Sequence, residues 1–185
     1  PVIISQQRDI LFVLRYKGIA NSSLRSSHMF NLGDHVVCPG HGVGQICSVD
    51  SKELNGEMKS FYIIKVVSNG MKVMIPVDSK EGLRALIPST DINGVFELLK
   101  DQNVKVDMST WNRRHREYTL KVKTGSLLEI ADVLRQLLLL KMTKKLSFGE
   151  RKMLDQCKEL IVKEISLASG TAEGDVSEKI DSMYT

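Results

Sequence analysis

Few of the residues that build catalytic and metal sites occur in this chain. Its three cysteines, Cys38, Cys47 and Cys157, are odd in number and form no Cys-x-x-Cys pair. That argues against a disulfide framework and fits a reducing cytoplasm. His35, Cys38, His41 and Cys47 are zinc-ligand residue types, but in a strand His35 and Cys38 point to opposite faces, so no metal site is expected. Gly40-x-Gly42-x-Gly44 lacks the spacing of a dinucleotide fingerprint and no helix follows it; a hairpin turn accounts for it better. No nucleophile, base and orienting group gather around Cys38, Cys157 or the four histidines. Aromatic residues make up 5% of the chain, and Phe61 with Tyr62 is too little for a methyl-lysine cage. Long apolar runs are also missing, since Leu137–Leu140 is bracketed by Arg135 and Lys141. The expectation is a protein with no enzymatic activity, no cofactor, no metal, no small-molecule ligand and no membrane span.

What is present is ordinary in amount and uneven in placement. The 185 residues are 42% hydrophobic and 26% charged, enough for one large or two small globular domains. The net charge of +4 is concentrated: residues 109–170 hold 13 lysines and arginines against 7 acids, whereas residues 1–108 are nearly balanced and 171–185 are acidic. Within the basic segment stands the only tryptophan, in Ser109-Thr110-Trp111-Asn112-Arg113-Arg114-His115-Arg116. Ser109 or Thr110 can cap a helix there, which puts Trp111, Arg113, Arg114 and Arg116 in its first turns. Cations are disfavoured at that end of a helix, so an anion is expected to offset them. Nucleic acid supplies phosphates for the arginines and bases for the indole. A solvated basic face with a half-buried tryptophan is the competing reading.

From Leu32 to about Ile87 the pattern is β. Five short runs are separated by Pro39-Gly40-His41-Gly42, Asn55-Gly56, Asn69-Gly70 and a Lys80-Glu81-Gly82 turn. Two Asn-Gly pairs between apolar runs are hairpin signals, and five strands in under sixty residues predict a small SH3-like or Tudor-like barrel. A two-residue loop at Asn69-Gly70 pairs Val66 with Val73 and Ile64 with Ile75 as the core face. The opposite face then carries Ile63, Lys65, Lys72, Met74 and Pro76. Pro76 lacks an N–H and belongs on an edge strand, so Ile63, Met74 and Pro76 form a candidate docking surface. The alternative is a barrel that curls and buries both faces.

From Asp91 onward the pattern is helical. Ser126-x-x-Glu129 and Ser147-x-x-Glu150 are two capping boxes. The first opens a helix with the stripe Leu127, Ile130, Ala131, Leu134, Leu137 and Leu138. The second opens one with Met153, Leu154, Cys157, Leu160, Ile161 and Ile165, ending near Gly170. These stripes describe bundle core rather than a zipper. Arg151 and Lys152 again put cations at a helix start, a second candidate phosphate contact. The overall expectation is α+β in two domains, a five-stranded small barrel over 29–90 and a compact all-α helical bundle over 91–170. An acidic tail or loosely held short helix is expected over 171–185. Residues 1–28 show no basic n-region and no small-residue cleavage site; they are read as a disordered tag or upstream extension before a functional start at Met29.

Several of these stretches, in order, closely resemble the CarD/CdnL family of bacterial transcription regulators. They are Leu32-Gly33-Asp34, Val37 to Gly44, Phe61-Tyr62, Met74-Ile75-Pro76, Gly82-Leu83-Arg84, Trp111-Asn112-Arg113-Arg114 and Leu146 to Leu154. The first half also resembles the polymerase-interacting module of the bacterial transcription-repair coupling factor. The resemblance implies a Tudor-like domain that docks on the β-subunit lobe of RNA polymerase by strand-to-strand contact, with Lys52, Met74 and Pro76 at the binding positions. It further implies a helical domain on promoter DNA at the upstream fork of the transcription bubble. There Trp111 wedges into the minor groove, Arg113, Arg114, Arg116 and Arg151 lie on the backbone, and Phe148 and Lys152 are further candidates. A monomer that stabilises the open complex follows. The residues alone leave a stand-alone DNA-binding repressor or nucleoid-type protein, without polymerase contact, as the alternative.

Overall fold

Asn55 and Gly56 both adopt positive φ, 54° and 82°, the pair of left-handed conformations that a two-residue hairpin loop requires. They join β2 (Gly42–Leu54) to β3 (Glu57–Val66), with Leu54 opposite Glu57. The computed structural model describes residues 30–79 and 82–184; the expectation for residues 1–28 lies outside them. With β1 (His35–Cys38), β4 (Lys72–Pro76) and β5 (Arg84–Ala85) these strands form a five-stranded antiparallel sheet, ordered β4-β3-β2-β1-β5. This is the expected SH3/Tudor-like module.

The second Asn-Gly pair behaves differently. Ile64 faces Val73 and Tyr62 faces Ile75, and the Val66 amide donates to the Met71 carbonyl at 2.8 Å. The loop is therefore four residues long, Val67 to Gly70, and the expected register is displaced by two. A two-residue displacement preserves side-chain parity, so every residue stays on the face assigned to it. Val36, Cys38, Ile46, Tyr62 and Ile64 make the small core of the sheet. β4 is an edge strand, which places Pro76 where its missing N–H costs no ladder bond. An irregularity between Ile46 and Ser48 leaves Cys47 as an extra residue, and residues 49–60 run on as an exposed ribbon.

The helical half contains α1 (Ile92–Lys100), α2 (Trp111–Lys123), α3 (Leu127–Thr143), α4 (Phe148–Ser169) and α5 (Glu173–Asp181). In α3, Leu127, Ile130, Ala131, Leu134, Leu137 and Leu138 are all buried, and so are Leu128, Val133, Leu139 and Leu140. A helix apolar on nearly every side is a central one, packed against α1, α2 and α4. The acidic C-terminal segment is not a loose tail. α5 buries Val176 and Ile180 in the bundle core, and Lys158 to Asp181 and Lys163 to Glu173 pair it with α4. Among the described residues no helix is long and apolar enough to cross a membrane.

The two halves are joined by a contact the sequence reading did not foresee. Arg84 on β5 donates from Nη1 to Glu164 Oε1 at 2.6 Å and from Nη2 to Glu164 Oε2 at 2.8 Å, and its Nε donates to the Gly125 carbonyl at 2.7 Å. The Ile87 amide donates to the same carboxylate at 3.0 Å. Glu164 is 2% exposed, so this is a charge-assisted, bidentate pair held largely away from water. Beside it Gly42 combines φ +85° with a close approach: a Cβ there would lie 2.6 Å from Leu160 Cδ2 on α4.

Candidate nucleic-acid interface and docking face

Trp111 opens α2 and Phe148 opens α4, and the two helix starts meet. The indole lies against Gly149, where an added Cβ would fall 2.8 Å from Trp111 Nε1 and 3.0 Å from two ring carbons. The His115 ring lies tilted against the indole with centroids 5.0 Å apart, and the Arg114 guanidinium sits 5.7 Å from the indole centroid. Trp111 is thus half-buried with a fixed orientation, while Phe148 is 76% exposed and stands free beside it. Gly149→Ala is expected to push the ring from this seat. Because Trp111 is the only tryptophan, its emission maximum should shift to longer wavelength while the helical circular dichroism is retained. An unchanged emission spectrum would mean the indole does not rest on Gly149.

Arg113 and Arg116 on α2 and Arg151 and Lys152 on α4 are exposed. Arg151 is also oriented, since its Nη1 donates to the Leu146 carbonyl at 2.5 Å. Arg114 departs from expectation. It is 3% exposed, and its Nη2 donates to Glu150 Oε1 at 2.5 Å, with Glu150 itself 1% exposed. The anion that offsets this cation is the protein's own carboxylate, so Arg114 is a packing residue and not a backbone contact. The sequence did carry the signal. Arg114, Tyr118 and Val122 recur at intervals of four and are the buried residues of α2.

Glu150 closes the capping box of α4: the Ser147 amide donates to its Oε2 at 2.7 Å, and the Glu150 amide donates to the Ser147 hydroxyl at 3.3 Å. Burial alone would raise the Glu150 carboxyl. The Arg114 guanidinium, the Ser147 amide and hydroxyl and the Lys144 ammonium outweigh it and hold the group at about 2. The start of α3 is capped less completely. Ser126 accepts from the Glu129 amide, but the Glu129 side chain is taken by the Thr124 hydroxyl. At α2 the N-cap Thr110 makes no side-chain bond. The chain entering the helix is held instead by Asp107, which accepts from the amide and hydroxyl of Ser109 and is lowered by those two bonds.

Lys52, Ile63, Met74 and Pro76 lie on the sheet, apart from this basic site. Ile63 faces Met74 and Phe61 faces Pro76 across β3 and β4; Ile63 and Pro76 are half-buried and Met74 is 44% exposed. Lys52 is exposed on the ribbon opposite Lys59. The site residues therefore form two groups, one on the sheet and one on the paired helix starts.

Burial pushes the Cys38 thiol up to about 11 and the Cys157 thiol to about 12, so both are protonated at neutral pH and poor nucleophiles. Among the described residues no three His, Cys, Asp or Glu side chains cluster as a metal site.

Comparison with known proteins places both halves. Residues 30–87 match the model of the CarD-like/TRCF RID domain, and residues 94–181 match the model of the CarD C-terminal domain. YdeB of Bacillus subtilis (strain 168), which is named as a transcription factor, is 35% identical over 147 residues, 78% of this chain and 95% of that protein. A solved structure of CdnLNt from Myxococcus xanthus is 35% identical, spanning 36% of this chain and 94% of that one, with a TM-score of 0.29.

Proposed function

This chain belongs to the CarD/CdnL family of transcription regulators, and from that premise we propose a non-enzymatic regulator of initiation that binds RNA polymerase and promoter DNA at once. The sheet docks on the β-subunit lobe through Lys52, Ile63, Met74, Pro76 and the edge of β4. The paired helix starts lie on DNA at the upstream edge of the bubble, with Arg113, Arg116, Arg151 and Lys152 against phosphates and Trp111 and Phe148 against unstacked bases. The protein acts as a monomer in the cytoplasm. Binding the open complex more tightly than the closed one shifts their balance toward the open form by that difference in affinity.

The observation that carries this reading is the seating of Trp111. A tryptophan seated on Gly149, with the exposed Phe148 next to that glycine in the chain and exposed arginines on both helices, presents a rigid aromatic edge on a basic surface. A solvated basic face has no need of that rigidity, whereas insertion into a distorted base step depends on it. A stand-alone DNA-binding protein would in turn have no use for the half-exposed Ile63–Met74 pair on the other domain.

The test is the dissociation rate of promoter open complexes at saturating protein. Trp111→Ala should leave polymerase binding intact and shorten the open-complex lifetime about tenfold, the equivalent of roughly 1.4 kcal/mol of selective stabilisation. Equal lifetimes with a folded, polymerase-bound variant would reduce Trp111 to packing. Removing Arg113, Arg116 or Arg151 has a different signature. Affinity for duplex falls similarly on all sequences, and the slope of log affinity against log salt drops by about 1 for each lost phosphate contact.

A further inference from the structure

Two cross-strand pairs of the sheet set like charges directly opposite one another. Lys52 faces Lys59 across β2 and β3, and Lys65 faces Lys72 across β3 and β4. Such pairs destabilise a sheet. All four lysines are exposed. The one acid that reaches any of them among the described residues is Glu57, 3.8 Å from Lys59 and itself largely in solvent. Lys52, Lys65 and Lys72 make no ion pair among the described residues.

The pairs share a face with the apolar docking group. Alternation puts Lys59, Phe61, Ile63 and Lys65 on the same side of β3, away from the Tyr62 and Ile64 core. Between the lysine pairs lie Ile63 opposite Met74 and then Pro76, whose partner Phe61 is buried, so Ile63, Met74 and Pro76 are the apolar side chains the face presents. The order along the strand is cation pair, apolar centre, cation pair, beside an edge strand whose outer backbone groups are unpaired within the sheet.

We propose that this face recognises a protein surface with an apolar centre between two acidic clusters about 20 Å apart, the length of six strand residues, each lysine pair meeting one cluster. The proposal rests on the polymerase-docking reading above and adds the chemistry of that contact. Charge complementarity argues for it: two pairs that oppose folding become favourable once carboxylates stand against them, and they fix the orientation in which the apolar centre engages. Nucleic acid could meet the lysines, but it would leave Ile63 and Met74 without an apolar counterpart.

Lys59→Glu with Lys65→Glu, in the full chain, tests this with little cost to the fold, because each change turns a like-charge cross-strand pair into an opposite-charge one, which offsets the loss of the long, exposed Lys59–Glu57 pair. The thermal midpoint should hold or rise. Affinity for purified polymerase core at low salt should fall by at least about tenfold, through a slower association rate. The wild-type affinity should weaken with added salt much more than that of the double variant, and Lys59→Gln with Lys65→Gln should lie between the two. The proposal is overturned if the double variant binds polymerase as tightly as the wild type, if its midpoint drops, or if its loss appears in duplex DNA binding instead. No wild-type binding to polymerase at any salt overturns the docking reading itself, a result recognisable from the wild-type protein alone.

Discussion

Arg114→Ala is expected to lower the free energy of unfolding by about 3–5 kcal/mol, the cost of leaving a buried carboxylate without its partner. Glu150, 1% exposed, would keep the Ser147 amide and Lys144 Nζ at 3.2 Å but lose its 2.5 Å contact with the guanidinium. Denaturant unfolding measures the loss, and the double change Arg114→Met with Glu150→Gln should recover much of it because no buried charge remains. The wild type carries a matching pH signature. Glu150 is held at about 2, below its ordinary 4.5, so its contribution is fully present above about 4.5 and is lost as the pH falls from there toward 2. Arg114→Ala should flatten that acid slope. It should leave the salt dependence of DNA binding by the folded protein unchanged. A stability change below about 1 kcal/mol would be that of an exposed pair and would contradict the burial.

Glu164→Ala should cost about 1–3 kcal/mol, because it leaves the buried Ile87 amide without its acceptor, while Arg84, partly exposed, keeps its bonds to the Gly125 carbonyl. Its effect should differ in kind. Arg84 belongs to β5 and Glu164 to α4, so the pair joins two cores that are otherwise separate clusters. In the wild type, Trp111 fluorescence from the helical half and a probe on the sheet should report one coincident transition. In Glu164→Ala the two transitions should separate. Coincident transitions with an unshifted midpoint would show that the halves are held together by other contacts.

Which parts of this molecule were legible in the sequence follows from how local their determinants are. The Asn55-Gly56 hairpin could be read because two adjacent left-handed residues admit few sequences and fix the pairing beside them. Asn69-Gly70 gave the correct faces but the wrong register, since loop length depends on where the flanking strands find partners, and a shift of two leaves the alternation untouched. Helix starts and apolar stripes were legible through Ser147 and the leucines of α3. What escaped were the charged members of those stripes. Glu150 and Glu164 fall in line with Met153, Cys157 and Ile161 on the buried side of α4, as Arg114 does with Tyr118 on α2. A charge on an apolar stripe implies a partner of opposite sign, but the partners lie 36 and 80 residues away, and only the tertiary structure says which they are.

The buried Arg114–Glu150 pair and the partly buried Arg84–Glu164 pair also bear on how the molecule meets heat. Hydration of a separated guanidinium and carboxylate carries strongly negative entropy, so it becomes less favourable on warming, and the penalty for keeping Arg114 with Glu150 and Arg84 with Glu164 away from water shrinks. The stabilisation from the leucine core meanwhile levels off. As temperature rises, a growing share of what remains is therefore carried by the contacts that seat Trp111 and that fix the sheet against the helices. The relative placement of the two binding faces thus holds up better on warming than it would if apolar packing alone maintained it.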